Sequence, residues 1–367
     1  MTLTEAQALG GIDRLWLVPG SGKALVTITV TDARVRRRRE REHRSPRTLD
    51  AGLARRQTLT TGSTLGPGTR LAARVMRAGF TLVGSPSKSL RFATRAVADP
   101  ETVTVPTRHG PVRCLLYRPA GTGALPPVHV QLHGGSFIVR RPEQDDHVCR
   151  YLASDVGAVV LVPDYDTAPE VAYPVAEHQA YDVAAWAHAH AAERGWDGGR
   201  LSVGGYSAGA KLAINVVQQA RDAGEFLPVA LAVGYGVTDV SLDPHARTSP
   251  KKHPTIGPWL LRLVQNAYFP DPATRAEPLA SPALAPDLAG FPPTLVTTGG
   301  LDSLETDGRI FAEKLRATGA DVTFRCFPDA DHSYTHKPPV ETAREAITGL
   351  GDHLARAYAA AGPQRPA

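Results

Sequence analysis

The sequence predicts an α/β protein built on a mostly parallel sheet with helices on both faces. Three observations predict it. From about residue 101, short apolar strands alternate with longer helical stretches. Several of those strands are unbroken apolar runs, such as Ala158-Val159-Val160-Leu161-Val162, which suits burial on both sides. Two glycine-bearing segments each follow directly on a strand, where loops of such sheets carry chemistry. The chain has 367 residues, 42% apolar and 21% charged, ample for a large core and unlike collagen, disulfide-knotted or disordered chains.

The first element is a charged extension. Of the 41 Lys+Arg and 36 Asp+Glu, residues 1–60 hold 12 and 6, leaving 29 and 30 for the rest. All the excess positive charge is therefore in the first sixth. Its densest stretch, Arg34 to Arg47, has no interleaved aromatic residue, so it reads as a solvated, poorly ordered extension and no nucleic-acid partner is expected. An early Glu5 and the short apolar run Leu15-Trp16-Leu17-Val18 argue against a signal peptide. No run of 18 apolar residues occurs, so no transmembrane segment is expected. Three cysteines without a C-x-x-C pair fit a reducing, cytoplasmic setting.

Residues 70–83 read as an amphipathic helix with Leu71, Val75, Ala78 and Leu82 on one stripe and Arg70, Arg74 and Arg77 beside it. It is expected to pack on its own protein rather than lie on a membrane. Strands follow at 101–105 and 112–117, a hairpin around His109-Gly110, then at 128–132, 158–162, 201–203, 230–233, 294–297 and 322–327. Helices are expected near 143–155, 174–192, 208–223, 304–318 and 339–360. The stretch 241–292 breaks the alternation with Pro254, Pro258, Pro270, Pro272 and Pro278, and reads as an insertion over the sheet with a short helix near 259–268.

Gly205-Tyr206-Ser207-Ala208-Gly209 lies between a strand and a helix, where G-x-S-x-G needs small residues two before and two after a serine on a very tight turn. The turn aims Oγ out of the sheet edge and puts the Ala208 N–H at a helix N-terminus. His133-Gly134-Gly135-Ser136-Phe137 follows the strand at 128–132, and its glycines let backbone N–H groups approach an oxyanion. His133 reads as an anchor of that loop. A serine nucleophile needs a base and an orienter. His332 follows the last strand, Asp302 follows the strand at 294–297, and Asp331 is the rival orienter. Neighbours on an extended segment point apart, which favours Asp302.

With these residues in place, the chain resembles the hormone-sensitive-lipase-like branch (bacterial family IV) of the α/β-hydrolases. The likeness rests on His133 to Phe137, Asp164-Tyr-Asp-Thr-Ala-Pro-Glu170, Gly205 to Gly209, the Asp302 loop, His332 and the segment from Tyr268 to Pro282. It spans about 101 to 358. The chain departs from the family at Ser136, where a third glycine is usual, at Tyr206, where Asp is usual, and at Ser333-Tyr334, where Gly-Phe is usual.

The resemblance implies an α/β-hydrolase fold over 61–367 with a helical cap drawn from elements near 61–100 and 241–285, residues 1–60 lying outside it. It implies a serine carboxylesterase for short- to medium-chain acyl esters. Ser207, His332 and Asp302 would form its triad, and the N–H groups of Gly134, Gly135 and Ala208 its oxyanion hole. No cofactor or metal is called for: the sequence has neither an H-E-x-x-H nor a phosphate loop. An amidase, deacetylase or acyltransferase with the same triad, and a non-catalytic ligand receptor on this fold, stay open, as does a homodimer.

Overall fold

The computed structural model describes residues 65–82, 87–121 and 125–362, together with two earlier strands. The chain divides into two units, Met1–Gly62 and Ser63–Ala367. In the first, β1 (Arg14–Val18) and β2 (Leu25–Thr29) pair antiparallel, Val18 opposite Leu25. The sequence between them, Pro19-Gly20-Ser21-Gly22, is rich in turn formers. An extension expected to be poorly ordered thus holds one regular element, formed by the apolar run at Leu15. The arginine-rich stretch from Arg34 lies outside the described residues.

The second unit is built on eight strands: β3 (Glu101–Val105), β4 (Val112–Tyr117), β5 (Pro127–Leu132), β6 (Val159–Pro163), β7 (Asp197–Tyr206), β8 (Ala230–Gly234), β9 (Thr294–Gly299) and β10 (Val322–Phe327). Their order is β10-β9-β8-β7-β5-β6-β4-β3. Only β4 runs against the rest: β5 to β10 are parallel, and β3, antiparallel to β4 at the edge, points the same way as they do. The chain passes from β5 outward to β6, then returns to the other side of β5 for β7. That reversal leaves a crevice at the carboxyl ends of β5 and β7, where open α/β sheets bind ligands.

Side-chain alternation divides the core. On β5, Val128, Val130 and Leu132 join one apolar cluster, while His129 and Gln131 face the other side of the sheet. On β6, Val159 and Leu161 join the first cluster, and Val160 and Val162 the second. Helices α3 (Val175–Ala189), α4 (Ala208–Ala223) and α6 (Glu305–Ala317) cover the first face. The second is covered by α2 (Asp146–Tyr151) and α7 (Val340–Ala361). Strand β7 starts four residues earlier than its apolar run, because Asp197 N–H donates to Pro126 O and a bulge there lets both strands continue.

Helix α1 (Pro67–Leu82) packs on α5 (Pro258–Ala267), the short helix of the proline-rich insertion. The face it buries corrects the stripe read from its sequence. Ala73 is buried, with Ala72 and Met76 against the core, whereas Leu71 is 48% exposed and Ala78 is exposed. Two small side chains allow close approach to α5, and Arg77 supplies the remaining anchorage. Its guanidinium donates to Ile138 O, Ala168 O, Thr167 Oγ1 and Glu170. Leu82 has no described side chain.

Candidate active site

Ser207 is the last residue before α4 and has φ 56° and ψ −118°. A non-glycine residue there is strained by about 1–3 kcal/mol, and the surrounding structure holds it in place. The two flanking glycines make the turn sterically feasible. A Cβ on Gly209 would lie 1.9 Å from Leu132 O, and one on Gly205 would lie 2.5 Å from both Leu132 O and Gly209 O. Ser207 N–H donates to Gly234 O at 2.9 Å, tying the turn to β8. Its neighbours in the motif are buried, while Ser207 itself is half-buried.

Because β5 pairs with β7, with Leu132 opposite Gly205, the loop after β5 arrives beside the turn. A Cβ at Gly134 would sit 3.4 Å from Ser207 Cβ. Gly135, Ser136 and Phe137 follow with φ 137°, 56° and 55°, a run of left-handed backbone that folds the loop back on itself. The N–H groups of Gly134, Gly135 and Ala208 donate to no acceptor among the described residues. His133 anchors the loop: its ring stacks on Tyr165 at 4.3 Å, its Nδ1 lies 2.7 Å from Gly134 O, and Tyr165 OH donates to His133 O at 2.6 Å. Burial lowers its pKa, outweighing the hydrogen bond to Gly134 O that favours the charged form.

The loops after β9 and β10 bring in the other two side chains. They cross closely: a Cβ on Gly299 would meet Ala330 O at 2.5 Å, and one on Gly300 would meet Pro328 O at 2.5 Å. His332 Nδ1 is 2.6 Å from Asp302 Oδ2, and His332 Nε2 is 2.9 Å from Ser207 Oγ. An ionised carboxylate can only accept, so Nδ1 carries the proton and Nε2 offers its lone pair to the serine. Asp302 Oδ1 accepts the Leu304 N–H at 3.0 Å. Asp331 is turned away from the imidazole. It accepts the backbone N–H of His332 at 2.7 Å, Lys251 Nζ at 2.8 Å and Thr255 Oγ1 at 2.8 Å. Burial pushes its carboxyl up, but those bonds together outweigh it and hold the pKa below the ordinary carboxylate value.

A second serine–histidine pair has no such opening. Ser202 Oγ lies 2.8 Å from His129 Nδ1, but both side chains are fully buried on the sheet and Ser202 also bonds Tyr358 OH. Ser207 instead floors a pocket lined by Phe137, Val237, Val240, Ile256, Leu304 and four residues of α5 (Leu260, Leu261, Val264 and Gln265), with Arg247 on its wall. Helix α5 therefore roofs the serine.

Four residues around this site carry no sequence motif. Arg77 ties α1 to the loop after β5. Lys211, one turn beyond Ser207 on α4, is fully buried against Glu177, and Tyr268 OH donates to the same carboxylate at 2.7 Å. The ammonium lies 5.2–5.6 Å from the rings of Phe137, Tyr173 and Phe269. Burial lowers the Lys211 pKa against the pull of Glu177. Arg247 and Gln265 complete the set. A basic residue inside an apolar helix motif was the one signal available for Lys211; the others depend on tertiary placement alone.

A strained serine at a strand-to-helix turn, a histidine bridging it to a carboxylate, and free N–H groups beside it define a hydrolase of the α/β class. The chain belongs to the α/β-hydrolase-fold family, in its hormone-sensitive-lipase-like branch of carboxylic ester hydrolases. A family model described as alpha/beta hydrolase fold matches residues 129–336. The carboxylic ester hydrolase LipN of Mycobacterium tuberculosis is 30% identical over 334 residues, covering 84% of this chain and 88% of that protein. An acetyl-hydrolase of Streptomyces hygroscopicus is 33% identical over 225 residues, 61% of this chain and 73% of that one. Among solved structures, an esterase of Pyrobaculum calidifontis superposes with a TM-score of 0.69 at 31% identity, covering 80% of this chain and 98% of its own.

Proposed function

We propose that this chain is a serine carboxylesterase acting on short- to medium-chain acyl esters through an acyl-enzyme. The observation that carries the reading is the line Asp302–His332–Ser207, with spacings of 2.6 and 2.9 Å, at the floor of an apolar pocket. Ser207 Oγ attacks the ester carbonyl while His332 Nε2 takes its proton. Asp302 fixes the imidazole tautomer and stabilises the imidazolium. The N–H groups of Gly134, Gly135 and Ala208 receive the negative charge that develops on the carbonyl oxygen. His332 then protonates the departing alcohol, and water repeats the sequence on the acyl-enzyme, restoring Ser207. The names of the relatives, one of them an acetyl-hydrolase, support an ester of modest size. Three cysteines without a disulfide suit a cytoplasmic setting, and no helix among the described residues is long and apolar enough to cross a membrane.

Ser207→Ala tests the assignment. It should lower kcat on a chromogenic short-chain ester by roughly 10⁴–10⁶ with an unchanged circular dichroism spectrum, because triad members act as a unit. Activity within about tenfold of wild type would place the nucleophile elsewhere.

A further inference from the structure

Behind the triad lies a second carboxylate–imidazole pair that the mechanism does not use, and one aromatic ring joins the two. His336 Nε2 is 2.8 Å from Oδ1 of the fully buried Asp145. On the other side of the imidazole, His336 Nδ1 lies 2.8 Å from Thr335 Oγ1 and 3.2 Å from Tyr235 OH, and the two hydroxyls are 2.5 Å apart. Tyr235 follows β8 directly, one residue after Gly234, whose carbonyl accepts the Ser207 N–H. It is buried and has φ 39°, a strained, left-handed backbone for a non-glycine residue. Its N–H donates to Thr297 O at 2.7 Å, and its ring stacks on Tyr206 at 5.2 Å and meets the edge of Tyr334 at 5.0 Å. Held at its backbone and its hydroxyl, this ring packs against the His332 imidazole, with centroids 4.9 Å apart and planes at 68°.

In the resting enzyme His332 has a hydrogen bond at each ring nitrogen, to Asp302 and to Ser207. Two such bonds define the direction of the ring without further help. The acyl-enzyme differs. Ser207 Oγ has given up its proton and carries the acyl group, so it no longer donates to Nε2, and a single bond to Asp302 leaves the imidazole free to pivot about Nδ1. Deacylation needs Nε2 where the serine left it. The water oxygen attacks the acyl carbonyl as Nε2 takes the water proton; the C–Oγ bond then breaks, and Nε2 returns that proton to Ser207 as the acid departs. A misplacement of about 1 Å in such a step can cost about a hundredfold. The contact with Tyr235 does not depend on the state of Ser207.

We propose that Tyr235 is a positioning residue for deacylation: its ring keeps the His332 imidazole aimed at the hydrolytic water once Ser207 is acylated. This rests on the reading of Ser207 as nucleophile. Tyr235 does not line the pocket over Ser207, and it takes no part in bond breaking.

The test is the burst and steady-state kinetics of the full chain on p-nitrophenyl acetate. p-Nitrophenolate leaves readily, so kcat reads deacylation and kcat/KM reads acylation. Tyr235→Met, which refills the space without a ring, should lower kcat and KM together by about tenfold to a hundredfold. Its kcat/KM should stay within about threefold of wild type, and nitrophenolate should appear in a burst that matches the active enzyme present. Tyr235→Phe, which keeps the ring, should recover most of the lost kcat. A merely structural role would change the amount of folded enzyme, which lowers kcat and leaves KM where it was. If Tyr235→Met does not fold, Tyr235→Leu gives the same reading. An unchanged KM in the ringless variant, or a Tyr235→Phe protein as slow as that variant, overturns the proposal while leaving the esterase reading intact. No hydrolysis of the ester by wild type, together with no labelling of Ser207 by a fluorophosphonate, overturns the esterase reading and this one with it.

Discussion

His332 has two carboxylates within reach, and their partners separate their roles. Asp302 faces the ring nitrogen at 2.6 Å, whereas Asp331 is committed to Lys251, Thr255 and the His332 backbone. Asp302→Asn should lower kcat by about 10³–10⁴, because an amide stabilises the wrong imidazole tautomer. Asp331→Asn should cost far less, since it loosens the loop without touching the ring. The reverse ranking in steady-state kinetics would exchange the two assignments. This choice was legible in the sequence because side chains of adjacent residues diverge along an extended segment. Ser207, Gly134, Gly135 and Ala208 were legible for a similar local reason: a tight turn at a strand end demands particular residue types at fixed spacing. Arg247 and Gln265 were not. Each acquires its role from a partner or a pocket distant in sequence, Arg247 from Asp307 sixty residues on, and neither spacing nor composition records that.

At the scale of elements, every strand end that carries a candidate group belongs to β5, β7, β9 or β10, and the back face of β5 carries a polar set of its own. His129 and Gln131 point away from the first apolar cluster, and Gln131 Nε2 donates to the buried Asp145 at 2.8 Å. Burial pushes His129 down to about 4, and His147 of α2 likewise to about 4. In the unfolded chain these imidazoles take up protons near pH 6.5, but in the folded protein only near 4. Stability therefore falls as pH drops through that window, by up to about 3 kcal/mol per histidine. Asp145 and Asp331 stay ionised throughout it. Burial pushes Asp145 up, but bonds from His336 and Gln131 help to hold it below its ordinary value. Urea unfolding at about pH 7, 5.5 and 4.5 should show this decline, with a shallower slope for His129→Gln; an unchanged slope in that variant would contradict the account. The strands were legible as apolar runs, and the helices between them to within a few residues. The buried face of α1 was not, because its packing on α5 uses Ala73 and Ala72, which a search for large apolar side chains passes over.

For the molecule as a whole, the parallel sheet sets four loops at one edge, and the insertion closes over them. The break in strand–helix alternation at 241–292 marked that insertion in the sequence, but its contribution to the pocket appears only when α5 is placed above Ser207. The central claim is that this edge holds one activated serine, and the most direct measurement is reaction of the full chain with a fluorophosphonate, followed by intact mass and peptide mapping. An activated serine attacks phosphorus as it attacks an ester carbonyl, whereas the sealed Ser202 has no route to the reagent. The account predicts one label per chain, on Ser207, with esterase activity lost in proportion to labelling. A label on another residue, or full activity in a completely labelled protein, would contradict it.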